Sequence, residues 1–221
     1  MGEAELDKIE KKLTIRSVII LYGEAASDRL AYQVAEDIGS HWNEPGATIL
    51  IKKESYKVKF DIEAKYDPNL TPETVWYNDD PRMNYFRVEE YVMGNISFVD
   101  SLPCNTGYLK LDNLAQTSTT IAHEYGHTLG LEHPAQFDIR GKGIPGIMYP
   151  RGSLVDAQYQ YWPHVAAGEY GGTMDPVHRK VTANDIAGLQ LHRLSFTAQG
   201  KAIVGGFSSI YHERHLPTTE I

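Results

Sequence analysis

An α/β fold is what the pattern of this chain predicts, and three observations carry the prediction. A β-branched apolar run, TIRSVIILY at 14–22, reads as a buried strand. An amphipathic helix with its own N-cap follows it directly. Several short strand candidates then lead to a second helix that carries a dense histidine cluster. Strand, helix, several strands, helix is the order of a sheet with helices packed on it.

Residues 1–12 read as a charged lead-in to the first strand. Ser27 is placed to cap a helix from Asp28 to about Trp42, with acidic Asp28 favourable in its first turn. Leu30, Ala31, Val34, Ala35 and Ile38 recur at helical spacing and give one buried face, and NEPG at 43–46 stops the helix. The stretch 48–66 alternates on both sides of KKES, the pattern of two strands joined by a tight turn. Residues 66–84 are dense in turn formers and read as a long surface excursion. Short strands are expected at 85–92, 96–100 and 107–112. The second helix is expected from about Leu114 to Leu131, with Asn113 as N-cap and Gln116 as its reciprocal partner. A last amphipathic segment, 183–194, points Ile186, Leu189 and Leu194 inward, and the tail 196–221 shows no readable pattern.

Composition narrows the function classes. The 221 residues hold 42% hydrophobic and 23% charged side chains, which excludes disorder as the default and permits a real core. A net charge of −8 argues against nucleic acid as main partner. The longest clean apolar stretch, Val18 to Tyr22, is far short of the roughly 20 residues a membrane-spanning helix needs. The start, MGEAELDKIEKK, lacks the apolar centre of a signal peptide, as a secreted chain with its leader trimmed also would, and Leu6 stands where a myristoylation motif wants Ser or Thr. One cysteine, Cys104, excludes an internal disulfide and a cysteine-built zinc site, and is read as a small, partly buried side chain. Nine histidines are the soft ligand supply.

Five of the fixed positions that matter fall in HEYGHTLGLEH, residues 123–133. His123 and His127 are four apart, so one helical turn puts both imidazoles on one face, ready to share a metal. Glu124 is next to the first ligand and within reach of a metal-held water as its base. Gly130 leaves the helical conformation without steric penalty, and the turn it permits returns His133 as a third ligand. Three neutral histidines plus one open position is a catalytic zinc arrangement, whereas a structural site fills all four positions with protein. From the composition alone, a chance match has odds on the order of one in ten thousand.

H-E-x-x-H-x-x-G-x-x-H resembles the signature of the metzincin clan of zinc endopeptidases. GIMYP at 146–150 is similar to the matrixin form of the methionine turn, which implies that Met148 floors the zinc site with Tyr149 and Pro150 beside it. ANDIAGLQLHRL at 183–194 resembles the last matrixin helix, so Asp185, next to Asn184, is implied to secure the base of the site by hydrogen bonding. Pro150 stands where other metzincins place a tyrosine ligand, which leaves three histidines and water. The matrixin thiol latency motif is absent, and 66–112 shows no calcium-rich loop, so Asp79 and Asp80 read as a solvated turn and bound calcium is not expected.

The resemblance implies one catalytic domain over 1–195, with an upper part (about 13–133), a lower part (134–195) and a tail (196–221). It implies a twisted, mostly parallel sheet with an antiparallel edge strand, and a zinc cleft above a small irregular subdomain. The expected activity is hydrolysis of peptide bonds, with Zn²⁺ on His123, His127 and His133 and Glu124 as general base. The substrate is expected to lie extended along an edge strand from 85–112, and the protein to be a secreted monomer. Tyr159, Tyr161, Trp162, Tyr170 and His164, between the methionine turn and the last helix, are read either as a pocket wall or as a surface loop, and His164 and His178 as polar surface. A non-catalytic zinc-binding module, against which the intact Glu124 argues, and a protease effector cut from a larger secreted polypeptide are the alternatives.

Overall fold

The apolar run at 14–22 forms the central strand β2 (Lys12–Tyr22) in a computed structural model that describes residues 1–115, 118–162, 164 and 172–217. On one side β2 pairs in parallel with β4 (Glu54–Tyr66), and on the other with β5 (Met83–Glu89), which pairs in parallel with β7 (Thr106–Lys110). β3 (Thr48–Ile51) and β6 (Phe98–Val99) close the two ends antiparallel, giving the order β3-β4-β2-β5-β7-β6. The sheet is thus mostly parallel with antiparallel edges, an architecture compatible with a metzincin-like domain. The β3–β4 turn places Lys52 and Lys53 at φ values of 49° and 71°, the mirror-image turn that matches strand twist.

The first twelve residues are not a lead-in. They contain β1 (Gly2–Asp7), antiparallel to the first half of β2, with Glu3 opposite Arg16 and Leu6 opposite Leu13. The buried positions of β1 begin with Gly2 and Ala4, whose small side chains give the alternation with Glu3 and Glu5 almost no hydrophobic contrast. The outer side of β1 takes β8 (Lys201–Val204), so the unread tail enters the sheet, with Ala4 opposite Ala202. Where β1 gives way to β5 along β2, the buried Asn84 amide donates to the carbonyls of Met1 and Arg82 and closes the seam.

Helix α1 (Asp28–Asn43) begins as expected, with the Ser27 side chain accepting from the Leu30 N–H at 3.2 Å. Leu30, Ala31, Val34, Ile38 and Trp42 are buried, while Ala35 is only half-buried. The excursion 66–84 contains one short helix, α2 (Pro72–Trp76). The histidine-bearing helix α3 (Thr120–Thr128) is half the expected length. Asn113 is not its cap: it lies in a 3₁₀ turn (Leu111–Leu114), where its side chain bonds Ser97 and Arg151, and Gln116 lies outside the described residues. The Ser/Thr run before Thr120 competes for the backbone, as Ser118 does by bonding the Asn113 carbonyl and the Thr120 N–H, so the helix starts late.

Trp42 fixes α3 to the rest of the molecule. Its indole N–H donates to the Ala122 carbonyl at 3.0 Å, and its ring meets Phe60 and Tyr125 at centroid distances of 5.1 and 5.6 Å. The Tyr125 hydroxyl, on the next turn, bonds Ser17 of β2 at 2.8 Å. The opposite face of the sheet is covered by the tail: Tyr211 stacks on Tyr22 (5.2 Å), His215 stacks on Tyr108 (4.1 Å), and Arg87 donates to the His212 carbonyl (3.1 Å). The first part of the expected helix 183–194 forms α4 (Ala183–Gly188), which then breaks at Gln190, with Ile186 buried and Leu189 and Leu194 partly so.

Trp42→Ala removes a fully buried indole and the bond to Ala122, and is expected to cost about 3–5 kcal/mol of stability. Urea unfolding checks this; a loss below about 1 kcal/mol would show that α3 is anchored elsewhere.

Candidate metal centre and active site

Two turns of α3 and one tight reversal build the site. His123 and His127 project from the same face of α3, both buried. The helix then ends in a Schellman motif: Leu131 N–H bonds the Gly126 carbonyl and Gly130 N–H bonds the His127 carbonyl, each at 3.0 Å. Gly130 adopts φ +100°, which other residues rarely tolerate, and the reversal delivers the more exposed His133 to the other two. All three Nε2 atoms stand 3.1 Å from one another.

The His123–His127 side of that triangle is not a hydrogen bond. The Nδ1 of His123 contacts the Ile147 carbonyl and that of His127 the Leu131 carbonyl, each at 2.7 Å, which places the ring hydrogen on Nδ1 and leaves Nε2 as a bare lone pair. Burial lowers the pKa of His123 well below the ordinary imidazole range and that of His127 to about 4, so these rings are neutral at physiological pH. Neutral nitrogens with converging lone pairs fit a cation. A tetrahedral zinc, with Zn–N of about 2.0–2.1 Å, holds its nitrogens about 3.3–3.4 Å apart. Among the described residues this is the one cluster of three or more His, Cys, Asp or Glu within metal reach.

Glu124 lies in the same cavity, of about 490 Å³, walled by β6, His133 and the segment Pro150–Gly152. Its carboxyl is buried, which raises its pKa to about 8, with Arg179 and the Val99 backbone pulling the other way. Met148 is buried, and its sulfur packs so closely on Gly126 that a Cβ there would stand 2.4 Å from it. Pro150 lines the cavity, whereas Tyr149 packs beside Ile139, Val155 and Met174. Asp185 accepts from the Thr182 N–H and hydroxyl, each at 2.7 Å, in a capping box; its remaining partner is the Ile147 backbone, and burial raises its pKa. Ile147 thus lies between Asp185 and His123, since its carbonyl holds the His123 ring. Asn184 is exposed.

Arg179 is the residue that sequence reasoning missed. It is buried in the cavity wall, its Nε donates to Thr119 Oγ1 at 2.8 Å and its Nη1 to the Tyr149 carbonyl at 3.1 Å, and burial lowers its pKa to about 10, still cationic at neutral pH. A lone arginine between loop segments carries no local pattern that would single it out.

Other expected residues fall away from the histidines. Tyr159 packs beside Val155 and Met174, Trp162 is exposed, Tyr161 lies within electrostatic reach of Arg179, and Tyr170 lies outside the described residues. His178 meets the Tyr159 ring and His164 the Trp162 ring. Asp80 is paired with Arg82 at 2.6 Å, and Cys104 is buried with its sulfur 3.2 Å from the Thr106 hydroxyl.

The fold and the three-histidine centre define a chain able to hold one metal ion beside a buried carboxylate. No family model and no curated protein matches it. Among solved structures it aligns with a chain from a chaperone–substrate complex at 13% identity and TM-score 0.41, over 82% of this chain and 35% of that one. It aligns with myroilysin at 13% identity and TM-score 0.37, over 87% of this chain and all of that one. Both overlaps are too loose to carry an argument about activity. Among the described residues no helix is long and apolar enough to cross a membrane.

Two outcomes test this geometry. In the metal-free protein the Glu124 carboxyl resists ionisation until about pH 8, whereas the unfolded chain ionises it near 4.5. Its burial is therefore harmless below that lower value and costs stability as pH rises toward 8. The stability gap between wild type and Glu124→Gln, read from urea midpoints in chelator, is expected to widen from pH 5 to pH 8 and to narrow when a divalent cation is added. Gly126→Ala is expected to cost about 1–3 kcal/mol through overpacking, and less in a Met148→Ala background; additive losses would place Met148 out of contact.

Proposed function

We propose that this chain is a zinc-dependent endopeptidase of metzincin type. The observation that carries the reading is the triangle of three imidazole nitrogens 3.1 Å apart, with the Glu124 carboxyl in the same cavity. Bound there by His123, His127 and His133, zinc would supply Lewis acidity toward a carbonyl oxygen and a water.

The chain's own groups supply the rest. Glu124 takes a proton from the attacking water and delivers it to the leaving amine nitrogen, and its raised affinity for a proton suits both halves of that task. The His123 and His127 rings keep their orientation because backbone carbonyls hold Nδ1. β6, with Phe98 and Val99 in the cavity wall, is a short edge against which an extended peptide adds its backbone. Met148 and Gly126 keep the underside of the histidine helix dry and closely packed. A secreted setting belongs to the same reading and rests on the family resemblance of the motifs.

Zinc-loaded wild type is expected to cleave unfolded casein. Glu124→Ala is expected to lose about 10²–10⁴-fold in kcat/KM while retaining one zinc per chain. Equal rates for the two proteins would overturn the peptidase mechanism, and metal bound without any turnover would favour a binding module.

A further inference from the structure

The Arg179 guanidinium is buried, yet none of the ion pairs among the described residues includes it. Its two protein contacts, to Thr119 Oγ1 and the Tyr149 carbonyl, are both to neutral oxygens. A buried cation held outside any ion pair is costly, and neutral donors would serve those two oxygens as well. The contacts also fix the plane of the guanidinium, because the Thr119 hydroxyl is itself tied to the Pro176 carbonyl at 2.5 Å. With Nε and Nη1 engaged, Nη2 meets no protein acceptor among the described residues, and the side chain lines the cavity.

The cavity around it is cationic. Arg151 lines it too, with one donor spent on Asn113, and Glu124 is its one carboxylate among the described lining residues. This holds in a chain whose net charge is −8, so the local field opposes that of the whole molecule. A rigid, buried guanidinium with donors to spare recognises a planar anion with two oxygens.

We infer that Arg179 is a specificity residue that receives a carboxylate of the substrate close to the bond being cleaved. The carboxylate is an Asp or Glu side chain or the free C-terminus of a peptide; the chemistry is the same for both. The inference rests on the peptidase reading for the word substrate, but the binding it describes does not require turnover.

The test uses matched peptides carrying Asp or Glu at one position, or the isosteric Asn or Gln, each with a free and with an amidated C-terminus. Binding is read by fluorescence anisotropy on metal-free wild type, so that no carboxylate is captured by zinc, and kcat/KM is read on the zinc-loaded protein. Carboxylate peptides are expected to bind at least tenfold tighter than their amides, and to be cleaved about 10–100-fold more efficiently. Arg179→Met is expected to abolish the preference and Arg179→Lys to retain part of it, since lysine keeps the charge without the fork. A preference that survives amidation assigns a side-chain carboxylate; one that requires the free terminus assigns the terminal one. Equal binding of carboxylate and amide peptides by wild type overturns the inference even if no Arg179 variant folds, and so does a preference untouched in a folded Arg179→Met. Acid-selective binding without turnover removes the peptidase reading and keeps the carboxylate site, whereas turnover without acid selectivity does the reverse.

Discussion

Three imidazole Nε2 atoms share a triangle with 3.1 Å sides. Bringing them together is a constraint that much of the fold serves. A helix sets the spacing of the first two, and only a residue free to adopt φ +100° brings the third within range. The helix is in turn pinned from above by Trp42 and tied through Tyr125 to the central strand. Carbonyls from Ile147 and Leu131 fix which nitrogen of the His123 and His127 rings carries hydrogen. Converging nitrogens of this kind are complementary to a cation.

The electrostatics of the cavity follow from burial rather than from formal charge. Glu124 and Arg179 feel each other electrostatically, yet no ion pair within 4 Å joins them among the described residues. Each is left with its chemistry intact: a carboxyl slow to ionise, and a guanidinium with donors unspent. The Asp185 carboxyl caps α4 through Thr182 and neighbours the backbone of Ile147, whose carbonyl orients His123.

Much of this was legible in the sequence because it is encoded locally. His123, Glu124, His127, Gly130 and His133 fall within one helix and one turn, where spacing translates directly into direction. Ser27 and the apolar positions of α1 were equally readable. What escaped depends on contacts between distant segments. Gly2 and Ala4 are buried only because β2 and β8 lie on either side of them, and their small side chains announce nothing. Asn113 has the chemistry of a helix cap, but Ser97 and Arg151 compete for it across the cleft. Arg179 acquires its environment from Thr119 and Tyr149, sixty and thirty residues away.

The tail that crosses the back of the sheet also reaches the cleft edge. Asp100, the residue after β6, is held by His212 at 2.7 Å, and its neighbour Thr106 by Ser208 at 2.9 Å. These partners lie more than a hundred residues downstream, and long-range closures of this kind form late. A chain leaving the ribosome at about 5–20 residues per second therefore exposes its histidine helix several seconds before the braces of the cleft edge exist. The order of maturation is set by topology: the metal ligands can assemble on a nascent chain, but the edge that would align a peptide is completed only when the last segment docks. Geometry able to hold a cation thus precedes a braced cleft edge in the order of synthesis.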